Sequence, residues 1–368
     1  MPDAAGTPVL TDGAIEGAVA ARVVKKDGSV IEVDADELQS VLKDSGFEGA
    51  EVILQNDLTG DVSLIIKIGC TLDLGGHTIH SDSKDAIYVQ QSGMVTIKGE
   101  GVVISETNNA LLILTGKVIL EGGKFTSRKE NFSSVYMATS EAELFVTGEN
   151  VTISPNANSI GLGVYDAKKI SLSAGTYSGL ENTIIVSDKF TLGDLLGHTD
   201  RDRYAFYNGD QPVTGILGEK QLGGEVTVRP CNHAAAEYVE QEGTDQHQRN
   251  CPACGDTTVF DCVYGDYGKV DGQNHKGVCI CGREDVRPHE WNYKNSGGES
   301  AKEIIRSCSV CPSEELVGTV SVTDDFTVPY GGTKGHVLEV TANPSDLVLE
   351  NMKWSCEGTG AIDADTSK

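Results

Sequence analysis

The chain has 368 residues, and its 29 Lys and Arg against 55 Asp and Glu give a formal charge of −26 at pH 7. A surface this acidic repels phosphate backbones and anionic lipid headgroups, which argues against a nucleic-acid partner and against a membrane-surface partner. The 43 glycines and an aromatic fraction of 6% indicate turn-rich β structure, and no apolar run is long enough to span a bilayer.

The N-terminal segment, residues 1–20, lacks a charged head followed by an apolar stretch. It therefore lacks the features of a secretory signal peptide, and we expect that any export signal has already been removed. We predict that these 20 residues are flexible and that the folded part begins at about residue 21.

A short helix is predicted from "DELQSVLKDSG". Either Asp34 or Asp36 can act as its N-cap, and Gly46 is positioned to stop it. The apolar face of this helix consists of Leu38, Val41 and Leu42. Because the open end of a parallel β structure exposes unpaired strand edges, we expect this helix to cover the first coil.

Five segments with alternating aliphatic residues then recur about every 24 residues: "AIYVQQSG", "ALLILTGK", "SVYMATSE", "SIGLGVYD" and "TIIVSDKF". The second positions of these segments are Ile87, Leu111, Val135, Ile160 and Ile184. The fourth positions are Val89, Ile113, Met137, Leu162 and Val186. Further short alternating runs follow within each unit, so each unit supplies about three strands.

This pattern predicts an all-β fold with a right-handed parallel β-helix of about 24 residues per coil over residues 21–229. The inward aliphatic residues would stack coil on coil at a spacing of about 4.8 Å. A β-sandwich is the alternative, but a sandwich has no reason to keep the same register over five units. We expect "LGHTDRDRYAFYNGDQPVTG", with Tyr204, Phe206 and Tyr207, to close the last coil.

The order "VILQNDLTG…GCTLDLGGHTIHS", the coils, and then "LLGHTDRDRYAFYNGDQPVTG…LGGEVTVRPCNH" resembles the N-terminal region of multimodular cell-wall surface proteins from Gram-positive gut bacteria. The resemblance covers about residues 20–235. It implies a fold similar to pectate lyases, often without their catalytic residues. Some of these surface proteins bind immunoglobulin variable domains as B-cell superantigens, so the resemblance implies a host immunoglobulin or another host glycoprotein as the partner.

Eight of the ten cysteines lie between Cys231 and Cys311, in three imperfect modules that we place at residues 230–315. Each module ends in a close cysteine pair. For the first module we predict the ligands Cys231, His247, Cys251 and Cys254, with His233 in reserve. For the second module we predict Cys262, His275, Cys279 and Cys281. The third module offers His289, Cys308 and Cys311, without a clear fourth ligand.

Four Cys and His ligands match a closed, structural Zn²⁺ site that leaves no position for a substrate. The alternative is a set of disulfides, which an exported chain could form. The recurrent histidines favour metal, because disulfides do not require them. A catalytic zinc is disfavoured because no H-E-x-x-H pattern is present.

After residue 315, the segment 316–368 resembles the first half of an Ig-like β module, with Trp354 and Cys356 in one strand. It is shorter than a complete sandwich of about 100 residues. We therefore expect the chain to be part of a longer extracellular protein that is attached to the bacterial cell wall through regions absent from this sequence.

A parallel β-helix also raises the alternative of a polysaccharide lyase or glycoside hydrolase. The acidic residues of the coils do not recur at one position in three successive coils, as clustered catalytic carboxylates would require. They are Asp73, Asp85, Glu100, Glu121, Glu141 and Asp166. We interpret His77, His80 and the charged cluster "DRDR" (200–203) as structural or simply exposed. The sequence therefore predicts a protein that is not an enzyme.

The outward positions between the two inward columns form a candidate binding surface. They are Tyr88, Leu112, Tyr136, Gly161 and Ile185. Four of the five are apolar where water would favour polar side chains, and such a stripe often marks a recognition surface. The alternatives are cross-coil stacking that only stabilises the sheet, or cover by a loop such as "SRKENFS". The predicted function is non-catalytic binding of a host macromolecule by a monomeric protein.

Overall fold

The computed structural model describes residues 18–154, 159–179, 182–199, 202–296, 301–322 and 340–345, and their regular secondary structure is almost entirely β. Within these ranges, no helix has the length and apolar character needed to cross a bilayer. The chain divides into two compact units. The first unit contains the residues up to Tyr238 together with Gln248–Val259, and the second contains Val239–His247 together with the residues from Phe260 onward.

A hairpin, a helix and a single 3-10 turn precede the coils. They are β1 (Ala21–Val24), β2 (Val30–Val33), α1 (Ala35–Val41) and a 3-10 helix (Ser45–Phe47). β1 pairs antiparallel with β2 and also with the first strand of the coils, β3 (Ala50–Leu54). The hairpin therefore covers the open strand edge at this end of the coils, a role that we predicted for the helix alone.

The helix α1 begins at the N-cap Asp34, one of the two residues that we predicted for this role. The carboxylate of Asp34 accepts a hydrogen bond from the backbone N–H of Glu37 at 2.9 Å, and the carboxylate of Glu37 accepts one from the N–H of Asp34 at 3.3 Å. The prediction that Gly46 stops the helix is wrong, because α1 ends at Val41 and Gly46 lies in the 3-10 helix. The C-cap of α1 is Leu42, and its backbone carbonyl accepts a hydrogen bond from the backbone N–H of Lys67.

The coils form a parallel β-helix with three strand faces, which confirms the predicted fold class. The first face consists of β5 (Leu64–Ile66), the first halves of β8 (Ile87–Lys98) and β10 (Leu111–Leu120), β12 (Ser133–Met137), β15 (Ile160–Val164) and β18 (Ile184–Val186). The second face consists of β3, β6 (Cys70–Asp73), the second halves of β8 and β10, β13 (Ala142–Val146) and β16 (Lys169–Leu172). The third face consists of β4 (Leu58–Gly60), β7 (Thr78–Ser81), β9 (Val102–Ser105), β11 (Lys124–Ser127), β14 (Thr152–Ile153) and β17 (Thr176–Tyr177).

Two columns of aliphatic side chains run through the core beneath the first face. One column consists of Leu64, Ile87, Leu111, Val135, Leu162 and Ile184. The other consists of Ile66, Val89, Ile113, Met137, Val164 and Val186. None of these twelve side chains is more than 5% exposed. Burial of each one contributes about 1.5–3 kcal/mol to the stability of the folded chain.

The predicted register of the fourth coil is wrong by two residues. Leu162 pairs with Val135 and Val164 pairs with Met137, whereas Ile160 pairs with Ser133. A shift of two residues keeps every inward side chain inward, because strand side chains alternate with a period of two. The alternation in "SIGLGVYD" fits both registers, so the hydrophobic pattern alone could not distinguish them.

The far end of the coils is closed by antiparallel strands. The elements here are α2 (Leu192–Leu195), β19 (Tyr204–Asn208), β20 (Gln211–Pro212), β21 (Gln221–Leu222) and β22 (Val226–Pro230). β21 pairs with β18, and β22 pairs with both β17 and β19. The side chain of Phe206 is buried in the same core as the coils. The predicted closing segment therefore lies where we expected, although Asp200 and Arg201 of the "DRDR" cluster lie outside the described residues.

The remaining strands are short or belong to small antiparallel sheets. They are β23 (Glu237–Glu240), β24 (Gln246–Asn250), β25 (Val259–Asp261), β26 (Gly268–Lys269), β27 (Asn274–Val278), β28 (Glu284–Pro288), β29 (Trp291–Ser296), β30 (Ala301–Cys308), β31 (Glu314–Val322) and β32 (Val340–Asn343). In the second unit, β26, β27 and β28 form one sheet and β29 to β32 form another. Trp354 and Cys356 of the predicted Ig-like module lie outside the described residues.

Candidate metal centres and lateral groove

Twelve Cys and His residues of the cysteine-rich region gather into three groups of four. Site 1 consists of Cys231, His233, Cys251 and Cys254. Site 2 consists of His247, Cys262, Cys279 and Cys281. Site 3 consists of His275, His289, Cys308 and Cys311. Within each site, the four possible ligand atoms lie within 4.8 Å of one another, so each site could hold one metal ion.

The spacing of the sulfur and nitrogen atoms matches ligands around one tetrahedral ion. With Zn–S of about 2.3 Å and Zn–N of about 2.0–2.1 Å, two thiolates would lie about 3.8 Å apart and a thiolate and an imidazole about 3.6 Å apart. The Sγ atoms of Cys231 and Cys251 are 3.7 Å apart, and those of Cys262 and Cys281 are 3.8 Å apart. A disulfide requires about 2.05 Å, and all nine cysteines that the structure describes are unbridged.

The predicted grouping of two histidines is wrong. His247 belongs to site 2 rather than to the first module, and His275 belongs to site 3 rather than to the second. Each histidine lies on an extended strand four residues before a cysteine of the preceding site. Four residues of strand cover about 13 Å, so neither histidine can reach its neighbouring cysteine pair. His233, which we held in reserve, completes site 1.

Site 1 is built against the closing strands of the β-helix in the first unit. Cys251 and Ala253 pack with Tyr207 in a small buried cluster. Next to them, the carboxylate of Asp256 is only 2% exposed and accepts a hydrogen bond from Nε of Arg249 at 2.6 Å. Burial works against the charge on Asp256, but hydrogen bonds from Thr258 and Arg249 outweigh it and hold the pKa of this carboxyl below its ordinary value.

Site 2 closes around the ring of His247. The Nδ1 atom of His247 lies 3.4 Å from Sγ of Cys279 and 3.7 Å from Sγ of Cys262. The ring of Phe260 stacks on His247, with 5.9 Å between the ring centroids. The tight pair Cys279-Ile280-Cys281 therefore contributes both of its sulfurs to one site, although C-x-C is shorter than the usual C-x2-C spacing.

Site 3 has the fourth ligand that the sequence of its own module lacks. His275 comes from β27, and its Nδ1 lies 3.4 Å from Sγ of Cys308. The Nδ1 of His289 lies 3.4 Å from Sγ of Cys311. The Nε2–H of His289 can donate to the backbone carbonyl of Asp271 at 3.1 Å, which would leave Nδ1 unprotonated toward the site.

The thiol of Cys308 is poised to ionise. Burial disfavours its thiolate, but the backbone N–H of Val310 and the imidazole of His289 outweigh this effect and lower the pKa of Cys308 to about 5. The Val310 N–H points at Sγ of Cys308 at a distance of 3.4 Å. Since the thiolate is the form that binds metal, site 3 favours a cation.

On the first face of the β-helix, the outward side chains form a row that we call the lateral stripe. It consists of Ile65, Tyr88, Leu112, Tyr136, Gly163 and Ile185. The predicted residues Tyr88, Leu112 and Tyr136 are therefore neighbours in adjacent coils, and Ile185 lies in the same row one coil beyond Gly163. In the fourth coil, the stripe position is occupied by Gly163 and not by the predicted Gly161, because of the register shift described above. Apart from the glycine, the side chains of the stripe are half-buried.

The last coils of the stripe border a cavity of about 420 Å³, which we call the lateral groove. Its lining includes Asn131, Phe132, Tyr136, Tyr165, Ile185 and Ser187. Phe132 belongs to the loop "SRKENFS" that we considered as a cover for the stripe. In the structure, its side chain is 37% exposed and helps to line the groove.

Phe132 and Tyr165 also line the groove, although neither was predicted as a binding residue. Tyr165 follows β15 directly, and its side chain is 62% exposed. Its signal was visible in the segment "SIGLGVYD", where an aromatic residue follows the aliphatic alternation. Burial and the neighbouring Tyr165 together raise the pKa of the Tyr136 hydroxyl above its ordinary value.

Charged side chains of the coils gather at two other places. Glu100, Glu121 and Glu149 from successive coils line a cavity of about 480 Å³. On the third face, Nε2 of His80 lies 2.7 Å from a carboxylate oxygen of Glu106, which also accepts a hydrogen bond from Arg128 at 2.6 Å. The three glutamates of the cavity are 21 and 28 residues apart rather than about 24, so they do not form one recurring acidic position in the sequence.

Comparison with known proteins does not assign this chain. No family model, no curated protein and no solved structure matches it.

Proposed function

We propose that sites 1, 2 and 3 each hold a structural Zn²⁺. The proposal rests on the agreement between the distances within the sites and tetrahedral coordination by Cys and His. Each site already supplies four protein ligands, which leaves no open position for a substrate or a catalytic water. When bound, the ions would supply cross-links for a segment whose strands bury few apolar side chains. Metal analysis of the purified chain should give three zinc ions per molecule.

We further propose that the chain is a non-catalytic binding protein that recognises a host macromolecule through the lateral stripe and the lateral groove. The observation that carries this proposal is the row of apolar and aromatic side chains on adjacent coils, which ends in a groove with two exposed aromatic rings. Tyrosine offers a large contact area at a low cost in conformational entropy. In a strand face turned to water, polar side chains would be expected instead.

The resemblance to cell-wall surface proteins supports a host immunoglobulin, or another host glycoprotein, as the partner. It also supports an extracellular location, with attachment to the cell wall through regions outside this sequence. The charge of −26 supports a protein partner over a nucleic acid. We propose that the chain acts as a monomer.

Capture of a partner tests this function. The full chain, with its metal, is immobilised and exposed to mucosal secretions, and retained proteins are identified by mass spectrometry. We expect retention of an immunoglobulin or another glycoprotein, and we expect weaker retention by a Tyr88→Ala/Tyr136→Ala variant. Depolymerisation of a polyuronate by the same preparation would support the alternative of a carbohydrate-active enzyme. If no host glycoprotein is retained and no polyuronate is depolymerised, both functions fail and the chain acts as a passive spacer.

A further inference from the structure

We propose that the lateral groove binds a neutral oligosaccharide, such as the neutral core of a glycan carried by the host partner. This inference rests on the proposed function and specifies the chemistry that the groove recognises. It depends on four features of the groove: exposed aromatic rings, hydroxyl groups without partners, a glycine in the floor, and the charges at its rim.

Exposed aromatic rings are concentrated at this groove. Among the Phe and Tyr side chains in the described part of the first unit, those of Tyr165 and Phe132 are the most exposed, at 62% and 37%. Phe125 and Tyr177 are buried in the core, and the rings of Tyr88, Tyr136 and Phe145 are half-buried. A pyranose ring has one face of C–H groups, and this face packs against an aromatic ring as other apolar groups do.

Two phenolic hydroxyls of the groove, those of Tyr136 and Tyr165, lack a hydrogen-bond partner among the described residues. A phenolic hydroxyl can both donate and accept, which suits the hydroxyl groups along the edge of a sugar ring. Apolar rings with adjacent unpaired hydroxyls therefore match a ligand that alternates C–H faces and hydroxyl groups.

A glycine lies in the floor of the groove. Gly163 pairs with Tyr136 across the strands, and a Cβ atom at Gly163 would lie 3.0 Å from Cδ2 of the Tyr136 ring. Because Gly163 has no side chain, the hydroxyl of Ser133 and the ring of Tyr136 can lie against its backbone, and all three residues line the groove. With about 420 Å³, the groove falls in the range of about 300–1,000 Å³ that is typical of small-ligand pockets. This volume suits a few sugar rings rather than a protein domain.

The charges at the rim favour a neutral ligand. Asp166, which follows Tyr165, is paired with the ammonium group of Lys189, and the ammonium group of Lys220 is held by the backbone carbonyls of Ser187, Asp188 and Phe190. The chain as a whole carries −26, and its field repels uronates and sialic acids. A neutral saccharide avoids this repulsion.

The probe for the test is the neutral pentasaccharide core of N-linked glycans, trimannosyl-chitobiose, titrated into the full metal-loaded chain by NMR. We expect saturable chemical-shift changes at groove residues. Tyr165→Ala and Phe132→Ala should each weaken binding at least tenfold. Tyr136→Phe, which keeps the ring and removes the hydroxyl, should weaken binding several-fold. Because Tyr165 is largely exposed, its truncation should leave the thermal unfolding curve unchanged.

Tyr293→Ala is the matched control, since Tyr293 is 63% exposed and lies in the second unit. This variant should bind the pentasaccharide like the unaltered chain. The proposal is overturned if the pentasaccharide causes no saturable change, if Tyr165→Ala binds it equally well, or if trigalacturonate binds as tightly.

Two outcomes separate this proposal from the proposed function. If a captured glycoprotein is retained equally well after its glycans have been removed, the saccharide proposal fails and the stripe still binds a protein. If the pentasaccharide binds but no host glycoprotein is retained, the groove is a saccharide site and the proposed function in host recognition fails.

Discussion

Replacement of His275 by alanine distinguishes the observed ligand groups from groups that follow the sequence modules. In the structure, His275 contacts Cys308 and belongs to site 3, although it lies in the module of Cys279 and Cys281. We therefore expect His275→Ala to remove the ion of site 3 and to leave site 2 loaded. The metal content of the chain should fall from three ions to two.

Cobalt substitution measures which site is lost. Sites 1 and 2 contain three cysteines each and site 3 contains two, so eight thiolates would contribute to the thiolate-to-cobalt charge-transfer absorbance. Loss of site 3 removes two of the eight, which is about a quarter of the absorbance. Loss of site 2 would remove three of the eight, which is about three-eighths.

The loss should also destabilise the second unit. Structural zinc sites in small domains contribute about 10–16 kcal/mol of apparent binding free energy, and three remaining ligands hold an ion far more weakly. The strands β29, β30 and β31 should then exchange their amide hydrogens faster. His77→Ala, which alters a histidine of the β-helix, should keep all three ions. If His275→Ala loses three-eighths of the absorbance, the grouping described here is refuted.

Three further predictions concern the β-helix. Gly163→Ala should destabilise the chain by about 1–3 kcal/mol, because the new Cβ collides with the buried hydroxyl of Ser133. Gly218→Ala is the control, since a Cβ at Gly218 has open space and should leave the melting temperature unchanged. Equal melting temperatures of the two variants would contradict this prediction. Burial raises the pKa of the Cys70 thiol to about 12, so very little of the reactive thiolate is present at pH 8. Iodoacetamide at pH 8 should therefore leave Cys70 unmodified in the native chain and modify it in guanidinium. Rapid labelling of Cys70 in the native chain would refute this prediction. The hydrogen bond from Lys84 lowers the pKa of the Asp61 carboxyl below its ordinary value of 3.8, so this pair stabilises the fold above pH 3.8 and the stabilisation is lost as the pH falls through the lowered pKa. Carbon NMR should show that the pKa of Asp61 lies below 3.8 and that it rises in Lys84→Met, and an unchanged pKa in the variant would contradict this prediction.

The coils could be predicted from the sequence because their signal is redundant. Aliphatic residues recur two residues apart and about 24 residues apart, and side chains such as Leu111 and Val135 stack in the predicted column. The N-cap Asp34 could also be predicted, since the capping chemistry is local. The hairpin β1–β2 was missed, although Asp27-Gly28 between two alternating runs is a hairpin signal, and Gly28 has the positive φ of 83° that such a turn uses.

The register of the fourth coil could not be predicted because two choices bury equally good side chains. Ile160 and Leu162 alternate as well as Leu162 and Val164, and only the pairing with Val135 and Met137 decides between them. The paired residues Leu111, Val135, Leu162 and Ile184 are 24, 27 and 22 residues apart, so a period of 24 residues holds only on average.

The metal ligands were identified by residue type, but their grouping was not. Local spacing links a histidine to the cysteine pair that follows it, as in His247 and Cys251. The conformation between them decides whether they meet, and an extended strand separates them by about 13 Å, whereas a turn would bring them together. The missing ligand of the third module was therefore His275, which the sequence had assigned to the second.

The most direct test of whether the lateral stripe is the binding surface uses the Tyr88→Ala/Tyr136→Ala variant. The affinity of this variant for a captured host glycoprotein is measured together with the melting temperature of the variant. We expect at least a tenfold loss of affinity, which is about 1.4 kcal/mol or more, with a melting temperature within about 4 °C of the unaltered chain. Unchanged affinity, or a loss that follows only the unfolded fraction, would contradict the account.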